Sequence, residues 1–426
     1  MLDERKQDYL YQLSKTSFYK LKGIDIYPVM VAPMFMNEGK VEVRELYRLI
    51  KQAMFKNAYE NKQKGCSKQV FLFTSSYRGR KDYALMMDRV VHVNENYIYL
   101  KSIEKKKNIV ADGCQYLIYI IIWFIQISKK NIPFMWRLFI VIHLYYSFIE
   151  VKCIERCLNN RDVKTLVTFC DVHSVDALAT QYFKKIGLTT VTLQHGHFNS
   201  KDREWVFSCS KSDFFLTHGE FANREAEKCG VSRERLVPVG MMNYISSDKE
   251  CESNGRESHI FGVLLNGPGA ADDNQGLLSL SNYFAKKYGY KYIIKSHPVL
   301  EISVYKNLIE DELLYGFAEK GISIAEFSKQ VDFAFAGNST VFMEFLFLGK
   351  MIFRYVGICQ DIYEGIEEFR FMNKEDLDNI YSNCIKNPDM TIKNIIRVKN
   401  YLCQNGDIAR NYREFFSMIC QKDMGE

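Results

Sequence analysis

The chain alternates short, continuous apolar runs with stretches whose apolar residues recur at helical spacing. Residues 69–76 (QVFLFTSS) and 165–170 (TLVTFC) have the pattern of buried strands. Val175, Leu178, Ala179 and Phe183 then recur at helical spacing and predict a helix over 174–186. Two further strand patterns follow, LTTVTLQHG (188–196) and DFFLTHG (213–219), the second leading into a helical stretch that ends at Gly230. A second series begins with HIFGVLLNG (259–267), YKYIIKSHP (290–298) and DFAFAGNST (332–340), with helices between and after them, including TVFMEFLFLG (340–349). Apolar strands alternating with helices indicate parallel sheets covered on both faces. The polar stretch 246–258 has no apolar periodicity and separates the two series. The expected architecture is α/β: two doubly wound, Rossmann-like domains, 1–245 and 259–426, joined by a hinge at 246–258 and facing each other across a cleft. The terminal helices are assigned to the second.

Two segments are apolar enough to raise the question of a membrane. Residues 115–127 are too few to span ~30 Å of hydrocarbon, and 134–149 carry Arg137 and His143. Buried core helices are expected. Because Lys105–Lys107 and Lys129–Lys130 flank these segments, a peripheral contact of 115–149 with the inner face of the cell membrane is the functional alternative. No signal-peptide pattern opens the chain, and a cytoplasmic protein is expected.

Composition narrows the classes. With 426 residues, 47% hydrophobic and 25% charged, the chain is globular and large enough for two cores. Twelve cysteines lie at irregular spacing without a CxxC pair, which speaks against a zinc site and for free thiols. A net charge of +6 is modest and its basic residues are dispersed, so nucleic acid is not an expected partner.

The residues that can carry chemistry collect at the predicted strand ends: His195, His218, Asn266–Gly267, His297 and Asn338–Thr340. In doubly wound sheets ligands bind outside the carboxyl ends of the strands. Ser339 and Thr340 open an apolar helix whose free N–H groups suit either an ordinary cap or a phosphate. Glu344 is the single acid between Val341 and Gly349, and a ribose diol would partner it. Lys295 and His297 end another strand, placed to face a leaving diphosphate. Asn266 and Gly267 begin a glycine-rich turn near which a nucleotide can lie. Arg78 and Arg80 follow the first strand, either as a solvated loop or as an anchor for a phosphorylated or lipid-linked acceptor. No element calls for a metal or a cofactor.

The order QHG, KSHP, then GNST-x3-E with FLGK resembles glycosyltransferases of the B-fold superfamily, over about residues 160–372. Within it the pattern is similar to CDP-glycerol glycerophosphotransferases of teichoic-acid synthesis and to bacterial capsule and surface-polysaccharide transferases. The resemblance implies a nucleotide-activated donor held by the second domain. His297 would contact its phosphate, Ser339 and Thr340 would cradle it, and Glu344 would take the ribose. His195 would act at the acceptor, a polysaccharide or lipid-linked saccharide, as the base that takes a hydroxyl proton. Donor contacts then comprise Asn266, Gly267, Lys295, His297, Asn338, Ser339, Thr340 and Glu344, and acceptor contacts Arg78, Arg80 and His218. The sequence departs from the glycerophosphotransferases at AGNST, where they carry TDYSS, which makes a nucleotide sugar at least as good a donor. A CDP-glycerol or alditol-phosphate transferase of teichoic-acid or capsule synthesis, a sugar-nucleotide 2-epimerase and a non-catalytic scaffold of the same fold are the alternatives.

Overall fold

The computed structural model describes residues 4–422 except 38–40, 56–57, 65–69, 75–80, 95–96, 104–108, 158–162, 170, 195, 198–199, 202–203, 243–257, 359–360 and 405. Two sheets organise the chain. The first contains β1 (Ala58–Lys64), β2 (Val70–Thr74), β3 (Tyr97–Ile103), β4 (Val163–Thr168), β5 (Thr189–Leu193), β6 (Phe214–Thr217) and β7 (Leu236–Pro238), in the order β1-β3-β2-β4-β5-β6-β7. Every neighbouring pair is parallel except β1 with β3. The second contains β8 (Ile260–Leu265), β9 (Lys291–Ser296), β10 (Leu314–Phe317), β11 (Phe333–Ala336), β12 (Ile352–Tyr355) and β13 (Arg370–Phe371). Its order is β10-β9-β8-β11-β12-β13, parallel throughout.

The central strands are buried because helices cover both faces, while the edge strand β10 leaves Tyr315 and Phe317 exposed. Along β11 all four residues are buried, and in β4 only Lys164 reaches solvent. In the second sheet the chain runs outward from β8 in one direction through β9 and β10. It then returns to β8's other side with β11, so the order reverses between β8 and β11. At such a reversal the connecting helices leave on opposite faces and a crevice opens at the strand ends. The turns after β8 and β11 carry Asn266–Gly267 and Gly337–Thr340.

The last two helices, Pro388–Leu402 and Ile408–Lys422, return to the first sheet. Phe415 meets Phe214 edge-on at 5.5 Å, Asn411 Nδ2 donates to the Val239 carbonyl at 3.2 Å, and the Gln404 N–H donates to the His218 carbonyl at 2.7 Å. Gly219 permits this approach, since a Cβ there would stand 2.8 Å from the Leu402 carbonyl oxygen. Most of the expected hinge, 246–257, lies outside the described residues.

The two apolar segments become helices Ile109–Ser128 and Phe134–Cys157. Among the described residues no helix is long and apolar enough to cross a membrane. Phe139, Ile140, Leu144, Phe148 and Val151 bury the second helix in the core beside the first sheet. The first buries Trp123 and Ile127 but leaves one face open.

Candidate functional site

Strand ends of the second sheet converge as the sequence pattern predicts. The N–H of Asn266 donates to Asn274 Oδ1 at 2.9 Å, and Asn274 Nδ2 donates back to the Asn266 carbonyl at 3.0 Å, which fixes the turn leaving β8. The His297 N–H donates to the Leu265 carbonyl at 3.1 Å, so the turns after β8 and β9 run side by side. The His297 ring lies beside Gly267, where a Cβ would stand 3.5 Å from its Nδ1. On the other side of β8 the Asn266 side chain lies over Gly337, where a Cβ would come within 2.7 Å of Nδ2. Asn266 thus bridges the crevice between β8 and β11, and glycine at 337 is what lets it do so.

Ser339 caps the helix Thr340–Phe347, its hydroxyl accepting from the Val341 N–H at 3.4 Å. Glu344 sits one turn further, about 6 Å along the axis. Desolvation lifts its carboxyl to about 7, against a smaller opposing pull from Lys295. Partial burial lowers the Lys295 ammonium in turn, while Glu344 supports it. These groups make a cationic, donor-rich surface with one carboxyl a helical turn behind it. Such a surface can hold a diphosphate at the front and a diol at the back.

His195, Arg78 and Arg80 lie outside the described residues. The neighbours of His195 are well tied. The Gln194 N–H donates to the Leu216 carbonyl at 2.9 Å, and Gln194 Oε1 accepts from the His218 N–H at 2.7 Å, locking the ends of β5 and β6 together. His218 is buried rather than presented on an open rim, and burial holds its imidazole down to about 4.

Sequence reasoning missed an interlock. The buried His197 ring lies between Phe221 at 4.8 Å and Tyr363 at 4.5 Å, nearly parallel to the second. Tyr363 belongs to the loop after β12, so this stack joins turns from both sheets. The Tyr363 hydroxyl donates to the Ser339 carbonyl at 2.9 Å. Arg354, fully buried on β12, pairs with Asp361, donates to the Ile366 carbonyl at 2.6 Å and lies over the Tyr363 ring at 5.4 Å. Asp361 also accepts from the Tyr363 N–H at 2.8 Å. Desolvation pushes the His197 imidazole down to about 3, so it is neutral and a poor base at pH 7. Its role is packing. Residues 353–363 carry no spacing or composition that announces this arrangement, because the partners are supplied by distant turns.

Two sheets, the second parallel throughout and the first parallel except at β1, match known folds. The UDP co-structure of MnaA from S. aureus superposes with a TM-score of 0.52 at 10% identity, covering 80% of this chain and 94% of that one. A ugt transferase from Siraitia grosvenorii in complex with UDP gives 0.51 at 8% identity, covering 83% and 99%. The fold is the glycosyltransferase B-fold. The Methanocaldococcus jannaschii UDP-GlcNAc 2-epimerase in complex with UDP-GlcNAc and UDP gives 0.49 at 12% identity, covering 82% and 99%. No family model matches the sequence, and no curated protein matches it. At these identities the likeness concerns the B-fold alone.

Proposed function

We propose that the chain is a metal-independent glycosyltransferase that moves a sugar from a nucleotide-activated donor to a hydroxyl of a bacterial surface-polysaccharide acceptor. The observation that carries the reading is the convergence of Lys295, His297, Asn266, Ser339, Thr340 and Glu344 at the point where the strand order of the second sheet reverses. In this reading residues 259–372 form the donor side. Lys295, His297 and the helix amides stabilise the negative charge that develops on the leaving diphosphate. Asn338 and Gly267 line its path, and Glu344 accepts from the ribose. His195 takes the acceptor proton, with Arg78 and Arg80 on the acceptor side, while His218, buried, supports the end of β6 instead of touching the acceptor. His197, neutral and stacked, leaves His195 as the base of the pair. The acceptor is lipid-linked or a free saccharide, and residues 115–149 bring the enzyme to the membrane surface.

Calorimetric titration with UDP, CDP and GDP conjugates identifies the donor, and a transfer assay with that donor separates the roles. His195→Ala is expected to lower turnover by ~10²–10⁴ with nucleotide affinity nearly intact. His297→Ala is expected to weaken donor and free nucleoside diphosphate alike, and transfer is expected to persist in EDTA. Acceptor-independent conversion of the sugar nucleotide to its 2-epimer would replace this reading with the epimerase. Unchanged turnover in His195→Ala would remove that residue from the mechanism.

A further inference from the structure

The open face of helix Ile109–Ser128 is a row of isoleucines. Ile118, Ile121 and Ile125 are 58%, 60% and 55% exposed, and at 100° per residue they fall within about 60° of one another on the helix surface. Trp123 and Ile127 occupy the opposite side and are buried. Exposed rings border the row on both flanks. Tyr19 packs against Tyr119 at 5.6 Å, and Phe134, 59% exposed, packs against Phe124 at 5.8 Å. Tyr119 and Phe124 leave the helix on opposite sides of the row.

Lysines border this face on both segments, and the nearest acid tied to it is Asp8, which accepts from Gln12 Nε2 at 2.7 Å while Gln12 Oε1 accepts from the Asn131 N–H at 2.9 Å. The segment 9–24 lies along the helix through three hydrogen bonds. Gln126 Oε1 accepts from the Tyr19 N–H at 3.2 Å, Gln126 Nε2 donates to the Ser17 carbonyl at 3.1 Å, and Trp123 Nε1 donates to the Tyr19 carbonyl at 2.8 Å. Residues 9–24 and 113–149 together contain Lys15, Lys20, Lys22, Lys129, Lys130 and Arg137, and not one Asp or Glu. Lys20 stands 5.5 Å from the Tyr19 ring centre, and the exposed Lys129 follows directly on the helix.

We propose that Ile118, Ile121, Ile125, Tyr19 and Phe134 insert into the interfacial region of an anionic bilayer, with Lys20, Lys22, Lys129 and Lys130 on its headgroups. This deepens the reading of membrane contact through 115–149 by naming the face, and it stands without the transferase reading. Bare isoleucines side by side in water are unfavourable, and aliphatic side chains ringed by aromatic and lysine residues are what an acyl–headgroup boundary accommodates. The lysines on both segments, Lys20 and Lys22 on one and Lys129 and Lys130 on the other, are what favour lipid phosphate over a second copy of this chain, whose identical face would bring the same cations together.

The test is co-sedimentation of the full chain, without nucleotide, on vesicles of phosphatidylcholine alone and of phosphatidylcholine mixed with phosphatidylglycerol. Binding is expected on the mixed vesicles and to weaken as salt is raised. Ile121→Glu is expected to lower partitioning about tenfold or more, and Lys129→Gln with Lys130→Gln about fivefold per lysine. Ile392→Glu, at another exposed isoleucine, is expected to leave it unchanged. Apart from the half-buried Lys130 these side chains are largely open, melting temperatures check that folding is intact, and Ile125→Ser provides a milder second variant. Failure to bind mixed vesicles, or binding indifferent to Ile121→Glu and Ile125→Ser, overturns the proposal. So does a wild-type dimer, by light scattering, that Ile121→Glu converts to monomer. Since the assay holds no nucleotide, its failure leaves the donor titrations standing, and failed titrations leave lipid binding standing.

Discussion

Glu344 shows how a single residue can be legible in a sequence. A lone acid in an apolar helix needs a reason, and its place one turn beyond a Ser–Thr cap suggests a ribose. Two predictions follow from its environment. Glu344→Gln is expected to weaken a ribonucleotide by about 1–2 kcal/mol and its 2′-deoxy analogue much less, measured by titration calorimetry. Equal effects on both would assign Glu344 a structural role. Its carboxyl is near 7 in the folded protein against an ordinary 4.5, so the folded state holds that proton more tightly than the unfolded chain. The resulting stabilisation is complete below about pH 4.5 and lost as pH rises through 7. The stability gained by Glu344→Gln is therefore expected to grow across that window, by on the order of 3 kcal/mol, in denaturant titrations at fixed pH values. His197 was less legible. Its sequence neighbours make it a turn residue, and only its two aromatic partners show that it packs between turns of both sheets.

Among elements, those with apolar runs and flanking helices could be read directly: β2, β5, β6, β8, β9 and β11 fall within the predicted stretches, and β4 overlaps its stretch but begins two residues earlier, at Val163. Of the strands that went unread, β7, β10, β12 and β13 have two to four residues each, too few to establish a period, whereas β1 and β3 have seven each and β1, AYENKQK, has no continuous apolar run. One of them matters to the site. β12 carries Arg354 and launches the loop that places Tyr363 against Ser339 and His197. Tyr363→Phe removes only the hydroxyl that holds the Ser339 carbonyl and is expected to weaken nucleotide binding by about 1 kcal/mol. Tyr363→Leu also removes the ring stack and is expected to destabilise the fold by ~2–4 kcal/mol. Chemical denaturation and calorimetry on both variants separate the two contributions. Wild-type nucleotide affinity in Tyr363→Phe would show that the hydroxyl does not support the donor loop.

At the scale of the molecule, desolvation holds three imidazoles far below their ordinary range: His143 to about 3, His197 to about 3 and His218 to about 4. A lowered folded-state value means the unfolded chain binds protons that the folded chain refuses. Stability from these groups is present above about pH 6.5 and is lost as pH falls below it. Each contributes a slope of about 1.4 kcal/mol per pH unit there, and Glu344 opposes with one such slope. Asp171, whose carboxyl is also raised by burial, opposes with Glu344, and the three imidazoles together are expected to lower the melting temperature as pH falls from 6.5 to 5. A flat profile over that range would mean that these rings are hydrated. The return of helix Ile408–Lys422 to the first sheet is also a whole-molecule feature. It ties the end of the chain to residues almost two hundred positions earlier, and no local pattern records it.

Periodicity, turn residues and the placement of polar groups at the ends of apolar runs were enough to define an α/β chain with largely parallel sheets and to single out Asn266, Lys295, His297, Ser339, Thr340 and Glu344 at and after strand ends, the residues we propose as the donor side. These are local signals: each depends on a few consecutive residues and on the alternation of strand with helix. Strand order was decided only in three dimensions, because which apolar run lies beside which depends on packing between segments far apart in the chain. The same holds for the His197–Tyr363–Ser339 interlock, whose members come from three separate turns. It holds too for residues 115–149, where composition alone could not separate core from surface. There the helix Phe134–Cys157 is enclosed by neighbours, while the helix Ile109–Ser128 has neighbours on one side and turns three isoleucines outward.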